Sequence, residues 1–278
     1  MTLLLHYHLH EVKPYINWAY FFHAWRTTET QSPELWSDAQ EVLDEMEGKV
    51  RTHAIVRLLE ANADGEDIVL SDGRLIPFLR QQHGETCLCW ADFVRPVGSG
   101  QTDTIGLFAT SVDEEMVSGK FADNKSVNGE SAKNQSPDEY RQLLCQTLAD
   151  RLAEATAERM HEEVRKNLWG YASDEQLSIE EMFQEKYIGR RPAVGYPSLP
   201  DQSLNFLIDE FLGFSSIGIN LTESGAMRPH ASTSGLLFAH PLARHFAIGK
   251  IDDTQLRDYA RRRGLPEDVM RKFLASNL

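Results

Sequence analysis

The sequence predicts a fold that combines helices with strands, and three observations support this. An apolar, β-leaning run extends through about residues 52–112 and is interrupted by turn-forming residues. A capping-box pattern at residues 136–139 begins a long predicted helix. The C-terminal segment predicts two further helices separated by Gly264. No internal repeat or change of composition marks a boundary, so residues 1–278 are predicted to form one domain.

The first part of the chain is predicted to contain two helices and a series of strands. Residues 13–25 (KPYINWAYFFHAW) are too rich in aromatic and aliphatic side chains for a surface loop, and predict a buried helix opened by Pro14. Ser32 and Pro33 predict the cap and first turn of a helix that ends near residue 48. The predicted strands are residues 3–10, 52–61, 67–73, 74–82, 87–94 and 104–112.

A polar segment precedes the longest predicted helix. Residues 122–136 lack hydrophobic periodicity and predict a mobile surface loop. Ser136, Pro137 and Glu139 combine the capping-box spacing with a proline at the first helical position, and the helix is predicted to run to Trp169. Its apolar stripe consists of Leu144, Leu148 and Leu152.

Helix caps and irregular segments alternate through the rest of the chain. Ser178 and Glu181 form a second capping box. The glycines and prolines of residues 188–200 then predict irregular structure until a helix begins near Asp201. Residues 221–241 and 245–251 are predicted to form a loop between strands. Helices are predicted at residues 253–264 and 266–275.

The composition argues against several classes of protein. The 278 residues include 28 Lys plus Arg and 42 Asp plus Glu, and the net charge of −14 argues against nucleic acid as a main partner. Three cysteines cannot build a disulfide framework, and an odd count is typical of a reducing compartment. The sequence shows neither a secretory signal nor a long uncharged apolar stretch. We therefore expect a cytoplasmic protein that does not bind membranes.

The common catalytic and nucleotide-binding motifs are absent. The sequence contains no GxGxxG, GxxxxGK[ST], GxSxG or HExxH pattern. His6, His8 and His10 alternate and would share one face of a strand, where a divalent metal is one interpretation. The polar face of an edge strand is the favoured one, because no fourth ligand is evident. We assign no metal site and no catalytic residue.

Residues 189–197 (GRRPAVGYP) are the first candidate for a binding site. Arg191 can hold a carboxylate through two hydrogen bonds. The backbone around Ala193 and Gly195 can approach a flat heterocycle, and Tyr196 offers an aromatic face and a hydroxyl. This combination suits a small zwitterionic ligand. On spacing alone, a proline-rich connector is the favoured alternative.

The same segment is part of a resemblance that extends over nearly the whole chain. RPAVGYP, ADRLAEATAERMHEEVRKNLWGYA, LTESGAMRPHASTSGLLFAHP and DYARRRG closely resemble the C-terminal activation domain of cobalamin-dependent methionine synthase. INWAYFF, ADFV and TIGLFA follow the same family in the same order. The resemblance implies an α+β fold, a single C-shaped domain with a twisted antiparallel sheet and flanking helices. It also implies binding of S-adenosylmethionine during the reductive remethylation of cob(II)alamin.

The resemblance assigns ligand-binding roles to individual residues. Arg191 matches the arginine that holds the methionine carboxylate, and Glu154 matches a ligand-contacting glutamate of the long helix. Ala193, Gly195 and Tyr196 match the backbone and aromatic elements of the same loop. Two positions depart from the family pattern. Asn17 stands in place of an aspartate, and His245 and Phe246 stand in place of a tyrosine pair.

A second loop matches the family segment that approaches the corrin ring. Its residues are Met227, Arg228, Pro229, His230, Ala231 and Ser232. His230 replaces a glycine of the family pattern, which implies a titratable group facing the cofactor. An exposed loop histidine with no such role is the favoured alternative.

The resemblance covers only one of the domains of a complete synthase. The DxHxxG motif of the cobalamin domain does not occur here. We therefore expect a stand-alone reactivation subunit of a split methionine synthase, acting on cobalamin held by a cobalamin-binding partner subunit, with flavodoxin or another reductase as electron donor. The alternative is a non-catalytic docking module or chaperone for corrinoid proteins that has lost S-adenosylmethionine. Candidates for a basic docking patch are Arg159, Arg165, Lys166 and the run Arg261–Arg263.

Overall fold

The structure, a computed structural model, describes residues 2–118 and 137–278. Its strands are β1 (Thr2–His8), β2 (Arg51–Asp64), β3 (Asp67–Leu70), β4 (Leu75–Pro77), β5 (Asp103–Val112), β6 (Asn220–Leu221), β7 (Met227–Arg228) and β8 (Ser232–Leu237). Its α-helices are α1 (Leu9–Val12), α2 (Trp18–Ala24), α3 (Pro33–Met46), α4 (Glu114–Ser118), α5 (Pro137–Glu163), α6 (Ile179–Phe183), α7 (Leu204–Leu212), α8 (Asp253–Arg263) and α9 (Glu267–Phe273).

One antiparallel sheet organises these elements. Its strands follow the order β4–β3–β2–β5–β8, and β1 also pairs with β2. The 14-residue β2 is long enough to pair with β1 through its first half and with β3 through its last four residues, while β5 lies along its other edge. The sheet is strongly curled. The expected α+β fold with a twisted antiparallel sheet is confirmed.

Both faces of the central strands are buried, because helices cover both sides of the sheet. Successive side chains of a strand point to opposite faces. Ala54 and Val56 therefore pack in one core cluster with α3 and α5, whereas Ile55 packs in a second cluster with α7. A third, smaller cluster joins α8 and α9 to the segment after β4 through residues that include Leu79 and Tyr259.

The long helix α5 supplies one wall of the molecule's main cleft. Its 27 residues span about 40 Å and continue as a π-helical turn at Val164–Leu168. The predicted stripe of Leu144, Leu148 and Leu152 is at most 1% exposed, and burial of each leucine contributes about 1.5–3 kcal/mol. This buried stripe fixes the rotation of α5, so the side chains on another face of the helix are held toward the cleft.

Several predicted elements are confirmed. α3 begins after Ser32 with Pro33 in its first turn, the Ser178–Glu181 capping box is formed, and α8 and α9 are separated by Gly264 in a left-handed conformation (φ 66°). The predicted loop at residues 122–136 and the cap residue Ser136 lie outside the described residues.

Two N-terminal predictions are wrong about where elements begin or end. The predicted helix at residues 13–25 begins at Trp18, because Pro14 belongs to a 3₁₀ turn and Asn17 takes an extended conformation that caps α2. The predicted strand at residues 3–10 ends at His8, whose backbone N–H donates to the Glu11 carboxylate at 2.8 Å and so begins α1.

Two predictions that assign a segment to a strand or to a loop are also wrong. Residues 87–94 contain a 3₁₀ turn at Trp90–Phe93 instead of a strand, because the Asp92 carboxylate accepts the Cys89 N–H at 2.8 Å. The predicted loop at residues 221–241 contains β8, a strand of the main sheet. Thr233 and Ser234 are buried there, so sheet pairing outweighs the low strand propensity of a Ser- and Gly-containing segment.

Candidate functional site

A cleft of about 640 Å³ lies where α5 faces the chain segments before α2, after α6 and after residue 244. This volume is in the range of small-molecule binding sites. Seven of the eight residues predicted to bind the ligand line it: Asn17, Glu154, Arg191, Ala193, Tyr196, His245 and Phe246. Gly195 does not line it. The structure therefore brings together residues that are separated by up to about 230 positions in the chain.

The segment that carries Arg191 is held against the exposed edge of the sheet. Arg190 exchanges two backbone hydrogen bonds with Phe238, at 2.8 and 2.9 Å, and the Val194 N–H donates to the Ser234 carbonyl at 2.9 Å. Gly235 makes this approach possible, because a Cβ there would lie 2.0 Å from the Pro192 carbonyl oxygen. The position of Arg191 is thus set by backbone pairing with β8.

Gly195 has a backbone conformation that shapes the turn of the 189–197 segment. Its φ of 88° lies in the left-handed region that favours glycine. Its N–H donates to the Leu199 carbonyl at 2.9 Å, which closes the turn that presents Tyr196. Gly195 is exposed and does not line the cleft, so its part in the site is to shape the turn that carries Tyr196.

Arg191 lies in the cleft with two carboxylates of α5. Its Nη2 donates to Glu158 Oε2 at 2.8 Å, and its Nη1 lies 3.7 Å from Glu154 Oε2. The side chain of Arg191 is 14% exposed. Burial lowers the pKa of Arg191, but the charges of Glu158 and Glu154 raise it above its ordinary value. The guanidinium therefore remains charged.

Tyr196 is linked to the same pair of charges. Its hydroxyl donates to Glu154 Oε1 at 3.0 Å, although 52% of the residue is exposed. The Glu154 carboxylate is the largest cause that raises the pKa of Tyr196 to about 12, followed by burial. Tyr196 is thus a neutral donor whose ring remains accessible from the cleft.

The cleft retains unused hydrogen-bonding capacity. Arg191 Nε and Glu158 Oε1 are buried and have no hydrogen-bond partner among the described residues. Buried polar atoms are normally satisfied, so an unsatisfied pair of opposite polarity is informative. The Asn17 side chain also makes no capping hydrogen bond, although Asn17 caps α2. These groups are available to a polar ligand or to water.

His245 and Phe246 are placed by an aromatic group beneath the cleft. Their rings lie 6.1 and 5.0 Å from the ring of Trp90, which is fully buried and donates to the Ser198 carbonyl at 3.0 Å. His245 Nε2 lies 3.4 Å from Glu185 Oε1. Burial is the main cause that lowers the pKa of His245, against the opposing effect of Glu185.

Sequence reasoning missed several residues of the cleft. Glu158 holds Arg191 more closely than Glu154 does, and Tyr187 and Glu185 line the cleft from the segment after α6. Glu158 could have been found, because it follows Glu154 by one helical turn and therefore shares its face. Tyr187 and Glu185 carry no comparable sequence pattern, since an irregular backbone places them.

The loop predicted to face the corrin lies beside the cleft and does not line it. Arg228 and His230 are exposed, whereas Ala231 is only 1% exposed and packs in the core. His230 Nε2 lies 3.3 Å from Asp150 Oδ1, one helical turn before Glu154 on α5. The loop and the cleft are thus adjacent along the same helix.

The predicted basic patch is wrong, because most of its members are buried or paired. Arg165 is fully buried and makes a two-pronged contact with Glu175. The side chains of Arg262 and Arg263 are 10% and 6% exposed and also pair with carboxylates. Of the C-terminal run, Arg261 is exposed. These arginines hold helices in place and do not form a continuous surface.

His6 and His8 lie two residues apart on β1 and share a face as predicted, but His10 does not lie on this strand. His10 lies on α1 and pairs with Glu47, whereas His6 Nδ1 lies 2.7 Å from His53 Nδ1. Residues 2–118 and 137–278 contain no group of three or more His, Cys, Asp or Glu side chains arranged to hold a metal. In the same ranges, no helix combines the length and apolar character that crossing a bilayer requires.

Comparison with known proteins identifies the family. The family model described as vitamin B12-dependent methionine synthase, activation domain, matches residues 8–264. A solved structure described as the MetH reactivation domain bound to AdoHcy is similar to this chain at 35% sequence identity, with a TM-score of 0.89. The match covers 100% of this chain and 90% of that chain. The chain therefore belongs to the activation-domain family of vitamin B12-dependent methionine synthase.

Proposed function

We propose that the cleft binds S-adenosylmethionine and that the protein supplies this methyl donor for the reductive remethylation of cob(II)alamin. The observation that carries the proposal is the convergence of Arg191, Glu154, Glu158 and Tyr196 on one cavity. The similar MetH reactivation domain has AdoHcy, the demethylated form of this ligand, bound to it.

The chemistry of the cleft suits each part of S-adenosylmethionine. Arg191 can bind the carboxylate of the methionine moiety, because its Nη1 is not held at hydrogen-bond distance by Glu154. Glu154 and Glu185 can stabilise the ammonium and sulfonium charges. The rings of Tyr196 and Phe246 provide apolar faces for the adenine. Asn17 can donate or accept a hydrogen bond, but adds no charge.

We propose that the cobalamin is held outside this activation domain, which the family model matches over residues 8–264. We propose that it is held by a cobalamin-binding methionine synthase subunit on which this chain acts in trans in the cytoplasm. Cobalamin supplies the cobalt that accepts the methyl group. The protein's own residues position the donor beside the loop at residues 227–232, which we propose faces the corrin. Flavodoxin or another reductase would supply the electron.

Ligand binding is tested by calorimetry and by the thermal unfolding midpoint with S-adenosylmethionine. Ligand at 100 times its Kd adds about 2.7 kcal/mol to native-state stability, which corresponds to a rise of several degrees. We expect Arg191→Ala to lower affinity about 10- to 150-fold through loss of a charge-assisted bond. Glu163→Gln is the matched control, because Glu163 lies on α5 and pairs with Arg159, outside the cleft.

Arg191→Ala leaves Glu158 without its partner and can destabilise the fold, so Glu154→Gln provides a second test. It keeps the size of the side chain and removes one charge from the cleft. Absence of binding in the parent at millimolar ligand would contradict the proposal and would favour the non-catalytic docking module. Transfer is tested with methyl-labelled S-adenosylmethionine, a cob(II)alamin-loaded partner subunit and a reductant. Label on the cobalamin that depends on this chain supports action in trans.

A further inference from the structure

Glu185 has an unusual backbone conformation at the edge of the cleft. It follows the short helix α6 and has a φ of 54°, in the left-handed region. In the described part of the chain, Arg26 is the other non-glycine residue with positive φ, and it lies away from the cleft. Such a conformation is costly for a residue with a Cβ, and it persists where surrounding contacts hold it.

Two cationic or titratable side chains hold the Glu185 carboxylate. Glu185 Oε2 lies 3.3 Å from Arg190 Nε, and Glu185 Oε1 lies 3.4 Å from His245 Nε2. Arg190 is itself fixed by backbone pairing with Phe238. Glu185 and His245 both line the cleft and are 43% and 42% exposed, so a ligand can reach the pair.

The surroundings of His245 favour its neutral form at neutral pH. The ring stands edge-on against Trp90, and the charged groups that face it are Glu185, Arg190 and Arg191. Buried His161 on α5 also interacts electrostatically with His245, and burial keeps the pKa of His161 well below its ordinary value. Burial lowers the pKa of His245, Glu185 opposes this effect, and the two arginines reinforce it. Acidification would therefore add a positive charge to a cleft that already contains Arg191.

We propose that Glu185 and His245 set the charge selectivity of the cleft, accepting the sulfonium of S-adenosylmethionine when His245 is neutral and disfavouring it when His245 is protonated. This inference rests on the proposed function. With His245 neutral, Glu185 has charge available for a ligand cation. With His245 protonated, the imidazolium pairs with Glu185 and repels the sulfonium. S-adenosylhomocysteine has a neutral sulfur and escapes this penalty.

The test compares the two ligands by calorimetry at about pH 7.5 and about pH 5.0, the lower pH being set well below the ordinary histidine pKa because the pKa of His245 is itself lowered. In the parent, we expect S-adenosylmethionine to lose about 3- to 10-fold more affinity on acidification than S-adenosylhomocysteine does. In His245→Gln, this excess loss should disappear. The titration of the ligands themselves is the same for every variant, so the comparison isolates His245.

Two further variants complete the experiment. Glu185→Gln should weaken S-adenosylmethionine more than S-adenosylhomocysteine at about pH 7.5. His10→Gln is the control, because His10 also pairs with a glutamate, Glu47 at 2.9 Å, but lies outside the cleft. It should keep the excess loss of the parent.

The outcomes separate this inference from the proposed function. If both ligands bind and the excess loss is absent from the parent or persists in His245→Gln, the inference is wrong and the proposed function stands. If neither ligand binds the parent at either pH, the proposed function fails. An excess loss that is present in the parent and in His10→Gln, but absent in His245→Gln, supports the inference.

Discussion

Arg191 in the cleft and Arg262 on α8 are buried to a similar degree, but their surroundings differ. Their side chains are 14% and 10% exposed, and each contacts more than one carboxylate. Arg262 uses all three nitrogens, on Asp258, Asp67, Glu66 and the Phe78 carbonyl. Arg191 has one close contact, with Glu158, and its Nε has no partner among the described residues.

This difference separates an arginine that holds the fold together from one that can bind a ligand. A guanidinium has five N–H donors. Arg262 uses its donors to connect α8 to the β3–β4 region. Arg191 keeps donors unused beside a cavity. Burial and charge are alike at the two sites, so unsatisfied donors on an arginine that lines an open cleft are the property that distinguishes Arg191 from Arg262.

The largest effect should come from breaking the structural arginine. Arg262→Ala removes the arginine partner of Asp67 and leaves Glu66 with Arg80 alone, so it should lower the free energy of unfolding by about 2–3 kcal/mol, less than for a fully buried pair because solvent reaches these acids. Urea denaturation measures this change. Affinity for S-adenosylmethionine should not change in the folded variant.

Arg261→Ala is the matched control for this prediction. Arg261 precedes Arg262 on the same helix, but its side chain is 74% exposed and it pairs with Asp258 alone. It should change the free energy of unfolding by less than about 0.5 kcal/mol. Equal losses in the two variants would contradict the assignment of Arg262 as a structural arginine.

Arg191→Lys tests whether the unused donors of Arg191 contribute to ligand binding. A lysine keeps the positive charge next to Glu158, so the fold should be retained. It cannot donate to Glu158 and a ligand carboxylate with the geometry of a guanidinium, so affinity for S-adenosylmethionine should fall about 10- to 30-fold. Calorimetry measures the loss. Unchanged affinity would mean that Arg191 contributes charge alone and that its unused donors are irrelevant.

Glu154→Gln should change the titration of Tyr196 by about one pKa unit. The Glu154 carboxylate is the main cause that raises the pKa of Tyr196 to about 12, so its removal should lower that pKa toward the ordinary value. The ultraviolet absorbance of tyrosinate follows this titration, and Tyr196→Phe identifies the contribution of Tyr196. An unchanged titration would mean that the Tyr196–Glu154 hydrogen bond does not form in solution.

The sequence predicted which residues line the cleft better than it predicted the hydrogen bonds between them. Arg191, Glu154 and Tyr196 could be named from the family resemblance, and the structure places them around one cleft. Helical spacing could place Glu158 on the same face as Glu154, but it could not show that Arg191 contacts Glu158 more closely, because this depends on the rotation of α5 relative to the 189–197 segment. Glu185 was missed for a similar reason, since its left-handed backbone has no sequence signature such as glycine.

For the fold, predictions succeeded where local chemistry decides the outcome. The caps at Ser178 and Gly264 and the apolar run of β5 were recognised because neighbouring residues determine them. β8 was missed because its burial depends on β5, which lies more than 100 residues earlier in the chain. The turn at Trp90–Phe93 was taken for a strand, because an apolar run does not reveal that Asp92 will cap it.

The smallest expected effect tests whether the acids around Arg262 contribute through their charge. Hydrogen bonds from Arg261 and Arg262 lower the pKa of Asp258 below its ordinary value. A group whose pKa is lower in the folded state stabilises the fold above its unfolded pKa, and this contribution is lost as the pH falls through the folded value. Asp258→Asn should therefore lose less stability than the parent on acidification. The difference should be below about 0.5 kcal/mol, because Asp258 is 45% exposed and its charge is screened by solvent.

Urea midpoints at neutral and acidic pH measure this difference in stability, with Asp268→Asn on the exposed surface of α9 as the control. An equal acid-induced loss in the parent and in Asp258→Asn would indicate that Asp67 and Glu66 alone balance the charge of Arg262. Arg191 and Arg262 would then each be balanced by two carboxylates. The unused donors of Arg191 would be the remaining difference between the two arginines.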